Sequence, residues 1–151
     1  MPSATYLGAS SDGVVVDPSV PSGRGFLEIK CPFSVGGIQI TDLRLEEVVL
    51  AAQPNFWLEE IATVESQDSP QLRLKRSSNY YCQVIGEMAL LEVPWCDFVV
   101  WTEAGIYVER VPFDRPFWEN ELLPKLQAFF QECLLREIVL RRIQRGQPLF
   151  D

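Results

Sequence analysis

The chain has 151 residues, of which 47% are hydrophobic and 23% are charged, a composition typical of one compact domain and not of a disordered segment. It contains no histidine, which excludes Ser-His-Asp and Cys-His catalysis and imidazole zinc sites. The formal net charge of -8, taken alone, argues against binding to nucleic acid, although arginines cluster near the C-terminus at Arg136, Arg141, Arg142 and Arg145.

The predicted elements, in chain order, are strands at 12–16 and 26–30, a helix at about 42–50, strands at 55–60 and 71–76, a helix at about 79–92, strands at 96–102 and 106–111, and a helical stretch at about 115–144. The first two strands are expected to form an antiparallel hairpin, and residues 33–40 are predicted to be a loop. Pro124 is expected to divide or kink the last helix. This order predicts a single α/β or α+β domain over residues 1–151, with a mixed sheet.

Membrane and redox signals point to the cell interior. No apolar run reaches the roughly 18 residues of a membrane span, and the first residues lack a signal-peptide pattern. The cysteines form no Cys-x-x-Cys pair, and each lies in an apolar context that suits a buried thiol: Cys31, Cys82, Cys96 and Cys133. We therefore expect an intracellular protein, cytoplasmic or nuclear, with no membrane partner.

The sharpest local feature is Glu28-Ile29-Lys30, on the second predicted strand. Because side chains alternate along a strand, Glu28 and Lys30 point to one side, about 6.5–7 Å apart, and Ile29 is expected to point into the core. Hairpin pairing brings Asp12 beside Glu28. Two carboxylates and the Ile29 carbonyl would offer the hard oxygen ligands that Mg²⁺ prefers, so the sequence predicts a metal site here.

A metal at this site would hold a phosphate oxygen and lower the pKa of a water, which would become a nucleophile near neutral pH. Lys30 would orient that water and offset charge in the transition state. The same residues also have ordinary explanations. Glu-x-Lys is common on strand surfaces as a solvated pair, and Asp12-Gly13 is a common turn sequence.

Three motifs follow one another along the chain: Gly8-Ala-Ser-Ser-Asp12-Gly13-Val-Val, then Phe26-Leu-Glu28-Ile29-Lys30-Cys31-Pro32, then Tyr80-Tyr81-Cys-Gln83-Val84-Ile-Gly86-Glu-Met88. Together they resemble the YqaJ-like viral recombinase family, in the lambda exonuclease branch of the PD-(D/E)XK nucleases, over roughly residues 6–102. The resemblance implies a restriction-endonuclease-like core, in which helices flank a mixed central sheet.

Position by position, the resemblance implies that Asp12 and Glu28 bind a metal, that Ile29 lends its carbonyl, that Lys30 is the catalytic lysine and that Gln83 points into the site. It implies Mg²⁺ or Mn²⁺ as the cofactor and DNA as the partner. The implied activity is hydrolysis of phosphodiester bonds in recombination or repair, by an exonuclease of 5′-to-3′ polarity on duplex DNA.

The helix motif agrees with this expectation, because Tyr80, Gln83 and Glu87 share one side of the predicted helix. The sequence also departs from the family. Ile85 stands where many relatives carry a second glutamine. Asp12 lies so near the start that the family's N-terminal helical part is expected to be missing or supplied elsewhere.

Other functions stay open at this stage. The chain could be a catalytically incomplete nuclease-fold module that binds DNA or a protein partner. It could also form a homo-oligomer, in which the C-terminal apolar helix packs between subunits. The tryptophans are expected to pack in the protein rather than stack on bases: Trp57, Trp95, Trp101 and Trp118.

Overall fold

The computed structural model describes residues 5–21, 23–32, 34–35, 38–39, 56–61, 71–103 and 105–148. Its strands are β1 (Gly13–Val16), β2 (Arg24–Lys30), β3 (Ser34–Val35), β4 (Ile38–Gln39), β5 (Leu58–Ile61), β6 (Gln71–Leu74), β7 (Trp95–Thr102) and β8 (Gly105–Pro112). Its helices are α1 (Asn79–Leu91), α2 (Arg115–Phe117), α3 (Leu123–Phe129) and α4 (Leu135–Leu140), with π-helical turns at Trp118–Leu122 and Phe130–Leu134 and a 3₁₀ turn at Ile143–Arg145.

The chain divides into two compact units. One unit comprises residues 9–113 and contains all eight strands and α1. The other comprises residues 1–8 and 114–151 and contains the remaining helices. The predicted mixed α/β architecture is confirmed at this level. The predicted helix at 42–50 lies outside the described residues.

The main sheet of the first unit has the strand order β1-β2-β7-β8. Strands β2 and β7 are parallel, whereas β1 with β2 and β7 with β8 are antiparallel. Both predicted hairpins are therefore confirmed. A parallel pair needs a crossover connection, and α1 lies within the one that joins β2 to β7. This helix packs against both strands.

Hydrogen bonds within the loop hold the β1–β2 hairpin. Asp17 accepts bonds from the Ser19 amide at 3.0 Å and the Ser19 hydroxyl at 2.6 Å. Arg110 adds a bond to Asp17 at 2.6 Å, and these donors lower the pKa of Asp17 to about 2. Gly23 has φ of +59°, a left-handed conformation that favours glycine.

Strands β3 and β4 pair in antiparallel fashion. The prediction of a loop across residues 33–40 was therefore wrong in part. The Gly-Gly pair at positions 36 and 37 is a common hairpin turn signal, and the flanking strands are only two residues long. So short a strand shows no alternation that a sequence pattern could reveal.

Strands β5 and β6 form a further antiparallel pair, which polar contacts link to β8 of the main sheet. The Leu74 amide donates to Glu109 at 2.7 Å. The Tyr107 hydroxyl lies 2.7 Å from Glu109 and 2.9 Å from the Leu72 carbonyl, so its single proton has two acceptors within reach. Burial raises the pKa of Tyr107, and the bond to Glu109 adds to the effect. The phenol therefore keeps its proton and serves as a donor.

One face of the main sheet and α1 enclose the core of the first unit. Phe26 and Glu28 of β2 pair with Cys96 and Phe98 of β7, so these four side chains share that face. All four are buried. From α1 the core receives Val84, Ile85, Met88 and Ala89. The helix begins after Ser78, whose hydroxyl accepts the Tyr81 amide at 3.1 Å.

Gly25 allows the backbone of β2 to approach the buried ring of Trp95. A Cβ at this position would lie 2.3 Å from the ring, so any larger residue must displace it. The Arg110 guanidinium covers the same ring, 3.8 Å from its centroid, and makes hydrogen bonds of 2.8 and 2.9 Å to Asp97. The tryptophan is thus held between backbone and guanidinium.

The second unit contains one continuous helical run from Arg115 to Leu140. Of the two effects expected of Pro124, the division of the helix was wrong, and the kink stays a prediction. The turn just before the proline is π-helical. A proline removes one backbone donor and crowds the preceding turn, and local widening accommodates both effects. Tyr6 stacks on Phe130 with ring centroids 3.9 Å apart.

Apolar side chains near the end of this run are exposed, among them Ile138 and Val139. The predicted packing of this helix between subunits stays a prediction. Within the described part of the chain, no helix is long and apolar enough to cross a membrane.

Candidate functional site

Asp12 lies immediately before β1, where the hairpin register places it beside Glu28. Its amide donates to the Leu27 carbonyl at 3.1 Å, and its Oδ2 accepts the Ile29 amide at 2.7 Å. The side chain therefore bridges to the strand that carries Glu28, as the hairpin predicted. The carboxylate remains exposed, so it is open to solvent and to a ligand.

Glu28 is the centre of the site, and its side chain is only 3% exposed. Its Oε1 accepts hydrogen bonds from Lys30 Nζ at 2.5 Å and from Gln83 Nε2 at 2.7 Å. Its Oε2 is buried and accepts no hydrogen bond from the part of the chain that the structure describes. A buried carboxylate oxygen without a donor is costly, by about 1–3 kcal/mol or more, unless a ligand supplies the missing contact.

Gln83 connects α1 to Glu28 and Lys30 of β2. Its Oε1 accepts a bond from Lys30 Nζ at 3.2 Å, and its Nε2 donates to Glu28. The oxygen of the carboxamide faces the ammonium group and the nitrogen faces the carboxylate, so each atom meets a partner of the matching kind. The structure thus brings Gln83 together with Glu28 and Lys30, which lie more than 50 residues earlier in the chain.

Glu87 belongs to the same cluster, although the sequence analysis gave it no role. It lies one turn after Gln83, is 8% exposed, and its Oε1 accepts a bond from Gln83 Nε2 at 3.2 Å. Burial raises the pKa of Glu87; the bond from Gln83 opposes this, and the charge of Glu28 adds to it. The sequence feature that could have indicated this role is the spacing of Glu87 four positions after Gln83, which places the two side chains next to each other on the helix.

Aromatic rings border the lysine. Lys30 Nζ lies 4.6 Å from the centroid of the Tyr80 ring. Trp57 packs against the same ring at 4.3 Å and contacts Phe98 edge-on at 6.5 Å. The expected packing role of the tryptophans holds for Trp57, and also for the buried Trp95 and Trp118, but not for Trp101, which is 47% exposed.

Two expectations about side chains near the site were wrong. Ile29 lies on the opposite face from Glu28, as alternation requires, but it is 39% exposed and not in the core. Cys31 is exposed, although its apolar sequence context suggested a buried thiol. In both cases the sequence pattern shows which face a residue occupies but not whether other elements cover that face. The proposed ligand role of the Ile29 carbonyl stays a prediction.

The oxygen donors near Glu28 are of the kind that magnesium binds. Among the described residues, no three Asp, Glu or Cys side chains form a group that could hold a metal by themselves. Magnesium, however, is usually held by one or two carboxylates and keeps several waters. Glu28 Oε2 is a buried oxygen without a donor, and Asp12 is exposed beside Glu28, so these two residues would hold the ion.

No family model, curated protein or solved structure matches this chain. The resemblance to the YqaJ-like family therefore stands on the three motifs alone.

Proposed function

We propose that this protein is a divalent-metal-dependent deoxyribonuclease with a PD-(D/E)XK core, and that it hydrolyses phosphodiester bonds as an exonuclease in recombination or repair. The observation that carries the proposal is the convergence of Glu28, Lys30 and Gln83, with one buried carboxylate oxygen left without a donor.

The topology supports the fold assignment. Strand β2 carries the acid and the lysine, pairs in parallel with β7, and is joined to it through α1, which carries the glutamine. The hairpin partner of β2 adds Asp12 from the other side. An acid-x-lysine pair on a central strand, next to a hairpin acid and a helix glutamine, is the arrangement that the resemblance implies.

The chemical roles follow from the positions of the side chains. Asp12 and Glu28 would hold Mg²⁺ or Mn²⁺, which, when bound, supplies Lewis-acid stabilisation of the phosphodiester and a more acidic water. Lys30 carries a positive charge at the edge of the site and would orient the attacking water and offset charge on the phosphate. Gln83 holds both Lys30 and Glu28, so it would fix their separation.

The cellular setting is also a proposal. All four cysteines are free thiols, which supports an intracellular, reducing compartment. DNA is the proposed partner, and the exposed arginines of the second unit offer phosphate contacts: Arg136, Arg141 and Arg145.

A second candidate function is binding to DNA or a protein without turnover. Within this candidate the net charge of -8 favours a protein partner, because an acidic surface opposes long-range attraction to DNA. This candidate predicts a complex with DNA that stays intact when Mg²⁺ or Mn²⁺ is added.

The test is cleavage of linear and closed-circular duplex DNA with Mg²⁺, with Mn²⁺ and with EDTA. We expect metal-dependent loss of the linear substrate only. Lys30→Met should lower the rate by about 100-fold or more. Glu60→Gln, on an exposed strand position, is the control and should leave the rate unchanged. Equal rates for Lys30→Met and wild type, or cleavage in EDTA, would contradict the proposal.

A further inference from the structure

Glu87 is a buried acid that the proposed chemistry does not use. It carries a potential charge on a helix face that otherwise supplies the core, and burying a charge without a partner is expensive. Its one hydrogen bond within the described part of the chain comes from Gln83 Nε2, at 3.2 Å. The acid is therefore placed to act on Gln83.

The carboxamide of Gln83 has two donors and one acceptor, and every partner is accounted for. One donor contact is to Glu28 at 2.7 Å, the other is to Glu87 at 3.2 Å, and the oxygen receives Lys30 Nζ at 3.2 Å. Without an acceptor at position 87, the second N–H would lose its partner. The plane of the carboxamide would then be less restrained, and its contacts with Lys30 and Glu28 could lengthen.

We propose that Glu87 is a positioning residue, which fixes the orientation of the Gln83 carboxamide so that its oxygen faces Lys30 and its nitrogen faces Glu28. The assignment rests on the proposed function for its catalytic meaning. The hydrogen-bond role itself requires no metal and no substrate. What Glu87 contributes is an acceptor oxygen, so glutamine should replace it and methionine should not.

The direct test is NMR of the Gln83 side-chain amide in the metal-free protein. Wild type and Glu87→Gln should show two Nε2 protons shifted downfield and protected from exchange, since both have acceptors. Glu87→Met should lose the protection of one of them. Glu87→Ala gives the same comparison if the methionine variant does not fold. Two protected protons in the methionine or alanine variant would overturn the proposal.

Kinetics and metal binding distinguish a positioning role from a merely structural one, because only a positioning role should lower kcat while KM and the Mn²⁺ affinity stay unchanged. Glu87→Met should lower kcat by about 10- to 100-fold, with KM and the Mn²⁺ affinity within about twofold of wild type, as expected for a residue that orients a catalytic group. Glu87→Gln should stay within about threefold of wild type. Glu132→Gln, on an exposed helix position, is the matched control.

The outcomes separate this proposal from the proposed function. Equal losses of Mn²⁺ affinity in Glu87→Gln and Glu87→Met would show that the residue supplies charge to the ion, and would overturn the positioning role. The expected amide pattern in a wild-type protein that cuts no DNA would support the positioning role and reject the nuclease assignment.

Discussion

Replacing Lys30 in the Glu28–Lys30 ion pair should destabilise the protein more than replacing Glu28. Lys30→Met leaves a carboxylate that is 3% exposed with Gln83 as its remaining donor, whereas Glu28→Gln leaves an ammonium that is 17% exposed. The long lysine side chain can reach water and keeps the Tyr80 ring beside it. The glutamate is almost fully buried, so its uncompensated charge should cost more.

The expected size follows from the burial of the pair. Breaking a fully buried pair costs about 3–5 kcal/mol. Because Lys30 is partly solvated, we expect about 2–3 kcal/mol for Lys30→Met and about 1 kcal/mol or less for Glu28→Gln. With a urea dependence of about 2 kcal/mol per molar, Lys30→Met should lower the unfolding midpoint by roughly 1–1.5 M.

The assay is urea unfolding at pH 7 in EDTA, followed by tryptophan fluorescence. The matched control is Arg73→Met, which breaks the Arg73–Glu59 pair on β5 and β6. That pair has a similar distance of 2.7 Å, but its side chains are 55% and 35% exposed, so the loss should stay within about 1 kcal/mol. A loss for Glu28→Gln as large as that for Lys30→Met would refute the reasoning from burial.

Three further outcomes are expected. Gly25→Ala should lower the free energy of unfolding by about 1–3 kcal/mol, because its Cβ would lie 2.3 Å from a buried indole ring. Gly13→Ala on β1 meets ordinary contacts at 3.7 Å and should change this free energy by less than about 1 kcal/mol, and thermal melts would compare the two variants. Burial raises the folded-state pKa of Glu87, so its contribution to stability should be present at acidic pH and be lost as the pH rises through that pKa. When the free energy of unfolding is measured against pH, the Glu87→Gln variant should not show this decline. A decline in Glu87→Gln equal to that of wild type would count against the prediction. An alkylating reagent should modify the exposed Cys31 rapidly. It should modify Cys96 only on unfolding, because this thiol is buried and burial raises its pKa. Mass spectrometry of timed samples would measure both rates, and faster modification of Cys96 than of Cys31 would contradict the prediction.

Local patterns in the sequence were sufficient to predict the main parts of the site. Alternation along a strand places Glu28 and Lys30 on one side, and hairpin pairing places Asp12 opposite, because both are short-range consequences of backbone geometry. The bounds of α1 follow from the Ser78 cap and from Pro94 beyond its end. These features depend on few residues that are close in sequence.

Long-range packing accounts for what could not be predicted. The placement of Gln83 in the site was expected only from the resemblance, because its contacts with Glu28 and Lys30 depend on how α1 packs on β2, which no local pattern specifies. The role of Glu87 depends on the same packing, since an acid on a helix surface usually faces water. The exposure of Ile29 was mispredicted for a related reason, because a side chain's face does not determine what covers it.

The most direct test of the central claim is a calorimetric titration of Mn²⁺ into the purified chain and into Glu28→Gln, with Glu60→Gln as the control. The proposed site predicts one saturable binding event in wild type and in Glu60→Gln, weakened by about 10-fold or more in Glu28→Gln, because a carboxylate that would hold the ion becomes a neutral amide. Equal binding in all three proteins, or no binding in the wild type, would contradict a metal site at Asp12 and Glu28.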